Sequence, residues 1–234
     1  MLSIIIPTLN EEKYLPKLLG SIKKQYFKNY EIIVSDADSR DKTRSIAKKY
    51  GCKVVLNKKK KSPSVQRNNG AKKAKGDIFL FLDADTVLPD NFINSALEEF
   101  RKKKLDVAGF YLEFDNKKLK FRIASYIYNI FFRIARKIKP FAIGAAILVK
   151  AKAHRKAGAF DESVFIGEDH EYAERLSKTA RFDLINLKMI YSSRRLEKEG
   201  VLKTIFKYIY CFFYVLIKGP IRKEIVKYEM GGSL

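Results

Sequence analysis

The sequence predicts an α/β domain with a mainly parallel central sheet covered by helices on both faces, and three observations predict it. Short apolar, β-branched runs alternate with helix-like segments through residues 1–100, the pattern of strands buried on both faces. Three of these runs end in polar, acid-containing stretches, "PTLNEE", "SDADS" and "DADT", at the carboxyl ends of strands where open α/β sheets place their ligands. The chain has 234 residues, 47% of them apolar, enough for one sizeable core.

The elements follow in order. "SIIIP" (Ser3 to Pro7) is a first strand, and a helix from Glu11 to Lys24 follows it. Glu31 to Val34 forms a second strand, whose polar loop leads into a helix from Lys42 to Tyr50 with Ser39 or Asp41 as its cap. "KVVL" (Lys53 to Leu56) is a third strand, and a helix holding "VQRNNGAKKAKG" leads to a fourth strand at Ile78. Residues 1–100 thus read as a nucleotide-binding half. In residues 101–200, Asp106 to Phe114 and "GAAILVK" read as strands, and "AFDESVFIGEDHEYAERLSK" as a loop running into a helix. The tail, 201–234, reads as an apolar helix, a Gly-Pro break and a basic helix. There is no internal repeat, and the one low-complexity piece is Lys58 to Lys61.

Charge narrows the partners. Lys and Arg number 48 against 26 Asp and Glu, a formal net charge of +22, so the surface field favours nucleic acid, an anionic membrane or a phosphorylated substrate. The aromatic residues of Phe121 to Lys139 and Val201 to Lys227 sit in apolar blocks with Ile and Leu, flanked by cations. That is the composition of interfacial helices on anionic lipid; core helices with snorkelling lysines have it too. Single-stranded nucleic acid, which needs dispersed aromatic platforms, is disfavoured. Tyr208 to Ile217 is the longest apolar block, about 15 Å as a helix and so about half of a hydrocarbon core. The expectation is a peripheral protein on the cytoplasmic face of the cell membrane, without a transmembrane helix. "MLSIIIPTLNEE" has no basic leader and reads as a first strand. Cys52 and Cys211 belong to no CxxC or Cys/His cluster, which fits a reduced cytoplasmic protein better than a disulfide scaffold or a zinc site. His154, among Lys and Arg, reads as a surface residue, and His170 as exposed.

Asp83 and Asp85 carry the first chemical signal. Side chains two apart on an extended segment point the same way, and a pair of carboxylates can share Mg²⁺ or Mn²⁺ with substrate phosphates. The metal then stabilises charge on a departing diphosphate. Capping of a turn before Pro89 is the alternative use of the same two acids.

Taken in order, "PTLNEE", "SDADSRDKT", "QRNNGAKKAKGDIFLFLDADT", "GAFDE" and "GEDHE" make the chain resemble a family 2 glycosyltransferase of the GT-A fold over residues 2–200, similar to polyprenyl- and dolichyl-phosphate sugar synthases. The resemblance implies an inverting, metal-dependent transfer from a nucleotide-diphosphate sugar, GDP-mannose or a UDP-sugar, to an acceptor hydroxyl or phosphate, lipid-linked at the membrane surface. It implies nucleotide-sugar contacts from Pro7, Thr8, Asn10, Glu11, Asp36, Asp38, Arg67 and Asn68, with Asp83 at the ribose or metal and Asp85 as direct metal ligand. The family's Asp-Asp-Gly-Ser reads Asp36-Ala37-Asp38-Ser39 here, so the second acid is displaced. In "GEDHE" the resemblance makes Asp169 the base that takes the acceptor's proton, with Glu168 orienting it; first-turn acids of a helix would look alike. One of Arg194 and Arg195 is expected on the diphosphate. A nucleotidyltransferase would show a glycine-rich phosphate loop, absent from "PTLNEEKYL"; a basic, non-catalytic membrane or nucleic-acid module is the remaining class.

Overall fold

The computed structural model describes residues 1–58, 61–138 and 144–226. Among these, eight strands form one sheet in the order β3-β2-β1-β4-β7-β6-β8-β5. The first four are β1 (Leu2–Thr8), β2 (Tyr30–Asp36), β3 (Lys53–Leu56) and β4 (Ile78–Leu82), all parallel, with Ile4 opposite Ile32 and Leu80. The sheet continues into β5 (Thr86–Val87), β6 (Val107–Phe114), β7 (Ala146–Lys150) and β8 (Phe182–Tyr191). Here β7 runs antiparallel between β4 and β6, while β6 and β8 are parallel. One continuous sheet therefore carries both halves of the chain.

Strand alternation divides the core into two layers. Ile4, Ile6, Leu80, Leu82 and Leu148 face a layer with α1 (Leu15–Lys23), α2 (Thr43–Lys49), α4 (Phe92–Lys102) and α5 (Leu119–Ile138). Ile5, Phe79, Phe81, Ile147 and Val149 face α3 (Pro63–Lys73), α6 (Ala151–Lys156) and α7 (Glu168–Ser177). Two further helices follow, α8 (Arg194–Glu199) and α9 (Val201–Lys218). Several elements were not anticipated, α4 and β8 the largest of them. The α4 segment "FINSALEEFRK" buries Phe92, Ile93, Ala96, Leu97 and Phe100 on one helical face, and β8 is interrupted by a register shift opposite Phe110/Tyr111 that breaks its alternation.

His154 corrects a sequence expectation. It is buried, 4% exposed, because α6 turns it beneath the sheet among Phe79, Phe81, Phe160 and Tyr172, with Nδ1 2.6 Å from the Tyr172 hydroxyl. Burial, with Arg155 and Arg175 nearby, pushes its pKa down from 6.5 to about 4. Between those values the unfolded chain binds the proton that the folded chain refuses, so stability is full above the unfolded pKa and falls as pH drops. The expected loss from about pH 7.5 to about pH 5 is ~2 kcal/mol. Urea unfolding at the two pH values checks it, with His154→Gln expected to lose that part of the slope.

The tail also departs from expectation. Only α9 forms among the described residues beyond 200; residues 219–226 are not helical, and Ile221 instead bridges Ile166. The rest of the expected basic helix, 227–234, lies outside the described residues, as do Lys59 and Lys60 of the lysine run and Lys139 at the end of the first aromatic segment. Helices α5 and α9 are apolar on two sides. Their inner faces pack on the sheet and on each other, Phe131 against Phe212 at 4.9 Å and Tyr128 against Tyr208 at 6.1 Å between ring centroids. Their outer faces leave Tyr126, Ile134, Phe206, Phe213 and Ile217 exposed. No helix among the described residues is long and apolar enough to cross a membrane.

Candidate active site

The ends of β1, β4 and β8 converge. Asp83, Ala84 and Asp85 leave β4 pinned on both sides: the Asp83 N–H donates to the Ala145 carbonyl at 3.2 Å, and the Ser192 N–H to the Asp85 carbonyl at 3.1 Å. The acids thus sit on a backbone held by the approach to β7 and the exit from β8.

Two arginines organise the carboxylates. Arg67, on α3 and 2% exposed, donates through Nη1 to Glu168 and through Nη2 to Asp83, both at 2.7 Å. Burial opposes its charge, but Asp83 and Glu168 outweigh it and raise its pKa. Its guanidinium carbon lies 5.3 Å from the centre of the Phe160 ring. Arg194, at the start of α8, donates to both Glu11 oxygens at 2.9 Å, and its Nε stands 2.9 Å from Asp85 Oδ2. Tyr14 lies under that guanidinium, 4.4 Å from ring centre to carbon. Burial pushes the Asp85 pKa up to about 7; Arg194 opposes the shift, and Asp83 and Glu11 add to it. Burial likewise raises Glu11 against the pull of Arg194, and raises Glu168 against that of Arg67, with Asp169 adding to the shift.

Asp169 is set by backbone. Its Oδ2 accepts the Gly144 N–H at 2.5 Å and its Oδ1 the His170 N–H at 2.9 Å. Gly144 is required: a Cβ there would stand 2.7 Å from Arg67 Nη2 and 3.1 Å from Asp169 Oδ2. Gly167 precedes α7 at φ 77°, the left-handed turn that brings Glu168 and Asp169 to the first turn of the helix.

Two cavities meet at these residues. A polar cleft of about 770 Å³, open to solvent, is bounded by Pro7, Thr8 and Glu11, by Ser62 and Gln66 of the α3 entry, and by Asp83, Asp85, Arg194 and Arg195. An apolar cavity of about 1500 Å³, likewise open to solvent, runs between α5 and α9, with Phe114, Phe131, Phe132, Ile205, Phe212 and Leu216 in its walls and Asp169 and His170 at its polar end. Arg67, Asp83, Glu168, Tyr191 and Arg195 line both.

Four residues expected at the nucleotide do not line the cleft. Asp36 is fully buried and accepts hydrogen bonds from the Thr8 and Ser39 hydroxyls and the Ser39 N–H, which ties the ends of β1 and β2; Ala37 lines the cleft in its place. Asn10, at φ 54°, accepts the Arg40 N–H and so links the same two loops. Asp38 points to Arg44, 3.7 Å away. Asn68 bonds the Phe160 carbonyl and N–H and reaches Glu162, fixing the ring beneath Arg67. Sequence reading missed Ser62, Gln66, Tyr14, Gly144 and Tyr191. A helix-opening "SPS" before Arg67 was a usable signal for the first two; Tyr14 and Tyr191 are recognisable only once the strands are arranged.

The donor set suits a hard cation. Among the described residues no three His, Cys, Asp or Glu groups converge to hold a metal alone, whereas Asp83 and Asp85 offer carboxylate oxygens beside a cleft large enough for a ligand. Mg²⁺ and Mn²⁺ take one or two carboxylates and complete their shell with substrate phosphates, so these residues fit such an ion.

Known proteins place this architecture. The chain is 38% identical over 108 residues to a GalNAc(5)-diNAcBac-PP-undecaprenol beta-1,3-glucosyltransferase of Campylobacter jejuni, covering 44% of this chain and 34% of that protein. It is 38% identical over 104 residues to the dolichol-phosphate mannosyltransferase of Pyrococcus furiosus, covering 42% and 30%. The matched region is about a third of the length of these relatives. Two solved structures share the fold: Staphylococcus aureus TarS with UDP, at a TM-score of 0.66 and 23% identity over 82% of this chain and 60% of that one, and the mannosyltransferase PcManGT of Pyrobaculum calidifontis with GDP-Man and Mn²⁺, at 0.68 and 18% over 89% and 64%. The family model of glycosyl transferase family 2 matches residues 3–158, and the chain belongs to that family.

Proposed function

We propose that the chain transfers a glycosyl group, with inversion, from a nucleotide-diphosphate sugar in the polar cleft to a lipid-linked acceptor in the apolar cavity, at the surface of an anionic membrane. The observation that carries this reading is the shared wall: Arg67, Asp83 and Glu168 face both a polar and an apolar cavity, and the acid best placed to serve as base, Asp169, stands in the apolar one. Residues 1–100 supply most of the donor side, and 101–200 together with α9 most of the acceptor side.

Asp85 and Asp83 would hold Mn²⁺ or Mg²⁺, which supplies charge stabilisation at the departing diphosphate. Arg194 and Arg195 border the cleft opposite the start of α3 and provide the guanidinium geometry that matches phosphate oxygens. Asp169, oriented by the Gly144 N–H, accepts the proton of an acceptor hydroxyl as the new bond forms. Glu168, tied to Arg67, keeps that acid at the junction. An acceptor phosphate, already deprotonated near neutral pH, would need the position of Asp169 but not its basicity.

The acceptor's lipid fits a cavity walled by α5 and α9, whose outer faces expose Tyr126, Ile134, Phe206, Phe213 and Ile217. With a formal charge of +22 on the chain, those faces suit an anionic bilayer, and the buried, unbridged Cys52 and Cys211 suit its cytoplasmic side. Two measurements test the proposal. Vesicles containing anionic lipid should sediment the chain at low salt, and Phe206→Glu with Phe213→Glu should leave it in the supernatant. GDP-mannose, UDP-glucose and UDP-N-acetylglucosamine, each with Mn²⁺ and vesicles holding a polyprenyl phosphate or a polyprenyl-diphosphate sugar, should give a lipid-linked product with one donor; no product with any pairing would contradict the reading.

A further inference from the structure

Arg194 holds the two acids at the mouth of the cleft at once. Its Nη atoms bind both oxygens of Glu11, its Nε lies 2.9 Å from Asp85 Oδ2, and Tyr14 supports its face. The three charged side chains are 5 to 10% exposed, so water does little to screen the contacts. A guanidinium beside Asp85 and a divalent cation on the same carboxylate repel each other at short range, and both cannot take the same oxygen. Arg194 also lines the cleft, so a diphosphate bound there lies within the sweep of its side chain.

We propose that Arg194 is an internal counter-ion that exchanges partners: it occupies Asp85 against a bare divalent cation, and moves to the donor's diphosphate when cation and nucleotide arrive together. The inference rests on the donor-site reading above and adds a regulation to it. Metal alone binds poorly, because it must displace Arg194 and leave a buried guanidinium short of one partner. Metal with nucleotide binds well, because the diphosphate gives the guanidinium a replacement anion while its oxygens complete the metal's shell. Glu11 is the pivot, held through both Nη atoms in the conformation described. The exchange makes the site selective for a metal–nucleotide complex over the metal itself.

The test counts unbound Mn²⁺ by electron paramagnetic resonance, with Mn²⁺ alone and with Mn²⁺ plus GDP or UDP, for wild type, Arg194→Gln, Arg194→Lys and the double variant Asp85→Asn/Arg194→Gln. Arg194→Gln should bind Mn²⁺ alone at least tenfold more tightly than wild type, and Mn²⁺ with the nucleotide more weakly. Arg194→Lys, which keeps the charge but lacks the fork, should lie between them and covers the case in which the glutamine variant does not fold. The double variant should lose the gained Mn²⁺ site. Equal affinity of wild type and both single variants for Mn²⁺ alone would overturn the exchange while leaving the donor site intact. Failure of the wild type to bind Mn²⁺ with either nucleotide would instead overturn the donor-site reading and the exchange with it.

Discussion

Replacing Asp169 by asparagine is expected to lower turnover with a hydroxyl acceptor by ~10²–10⁴-fold, the range that a positioned base contributes, while donor affinity stays unchanged. The geometry separates the two effects. Asp169 lines the apolar cavity and not the donor cleft, and its carboxylate is held by the Gly144 and His170 N–H groups. An asparagine carbonyl can accept the Gly144 N–H, so that anchor is kept, and the variant loses basicity and the hydrogen bond from the His170 N–H. Steady-state rates for both enzymes, with calorimetric titration of the donor, check the split. A variant that loses donor binding in parallel with turnover would show that Asp169 belongs to the donor side. A variant that keeps nearly full turnover with a polyprenyl phosphate, yet fails with a sugar hydroxyl, would fit an acceptor phosphate that brings its own negative charge.

Arg67→Met is expected to destabilise the fold by ~3–5 kcal/mol at neutral pH, the cost of leaving buried charges without their partner. The side chain joins Asp83 and Glu168 across the sheet end at 2.7 Å each and is 2% exposed. Glu168 gives the loss a pH signature. Burial already raises its pKa, and Arg67 opposes that rise; without Arg67 the folded pKa goes higher still. A carboxyl raised above its unfolded value is best tolerated below that unfolded value, and its cost grows as pH climbs through the folded pKa. The gap between wild type and variant should therefore narrow as pH falls toward the ordinary carboxylate range and widen as pH rises from it. Urea unfolding across that range checks it, and adding Glu168→Gln to the variant should recover part of the loss at neutral pH. A pH-independent gap would show that Arg67 acts by packing on Phe160 alone.

How much of this was legible follows from where the information lies. Ile4 to Ile6, Ile32 to Val34 and Phe79 to Leu82 announce buried strands because both faces of each are covered, and acids directly after them mark the ligand end of the sheet. Asp83, Asp85, Arg67, Glu168, Glu11 and Arg194, singled out by motif order and family resemblance, do line one cleft. Asp36 and Asn68 have the same chemistry and lie in the same stretches, yet they tie loops together; residue type does not say whether a carboxylate meets a ligand or the Thr8 hydroxyl. His154 was misread for a related reason. Its sequence neighbours are Lys152, Arg155 and Lys156, but one turn of α6 directs it inward while they point to solvent. The basic helix expected after Gly219 gives way, over residues 219–226, to a bridge between Ile221 and Ile166, a tertiary contact that no local pattern records. Helices α5 and α9 read as interfacial or core, and each has two apolar sides: one walls a cavity and the other is an exposed apolar face.

Calorimetric titration asks whether the acids after β4 bind a nucleotide sugar through a divalent cation. GDP-mannose, UDP-glucose, UDP-N-acetylglucosamine and the corresponding diphosphates are titrated in Mn²⁺ and in chelator, into wild type and Asp85→Asn. One nucleotide family is expected to bind wild type in Mn²⁺, with this binding absent in chelator and in the variant. Binding of equal strength with and without metal, or in wild type and variant alike, would contradict it.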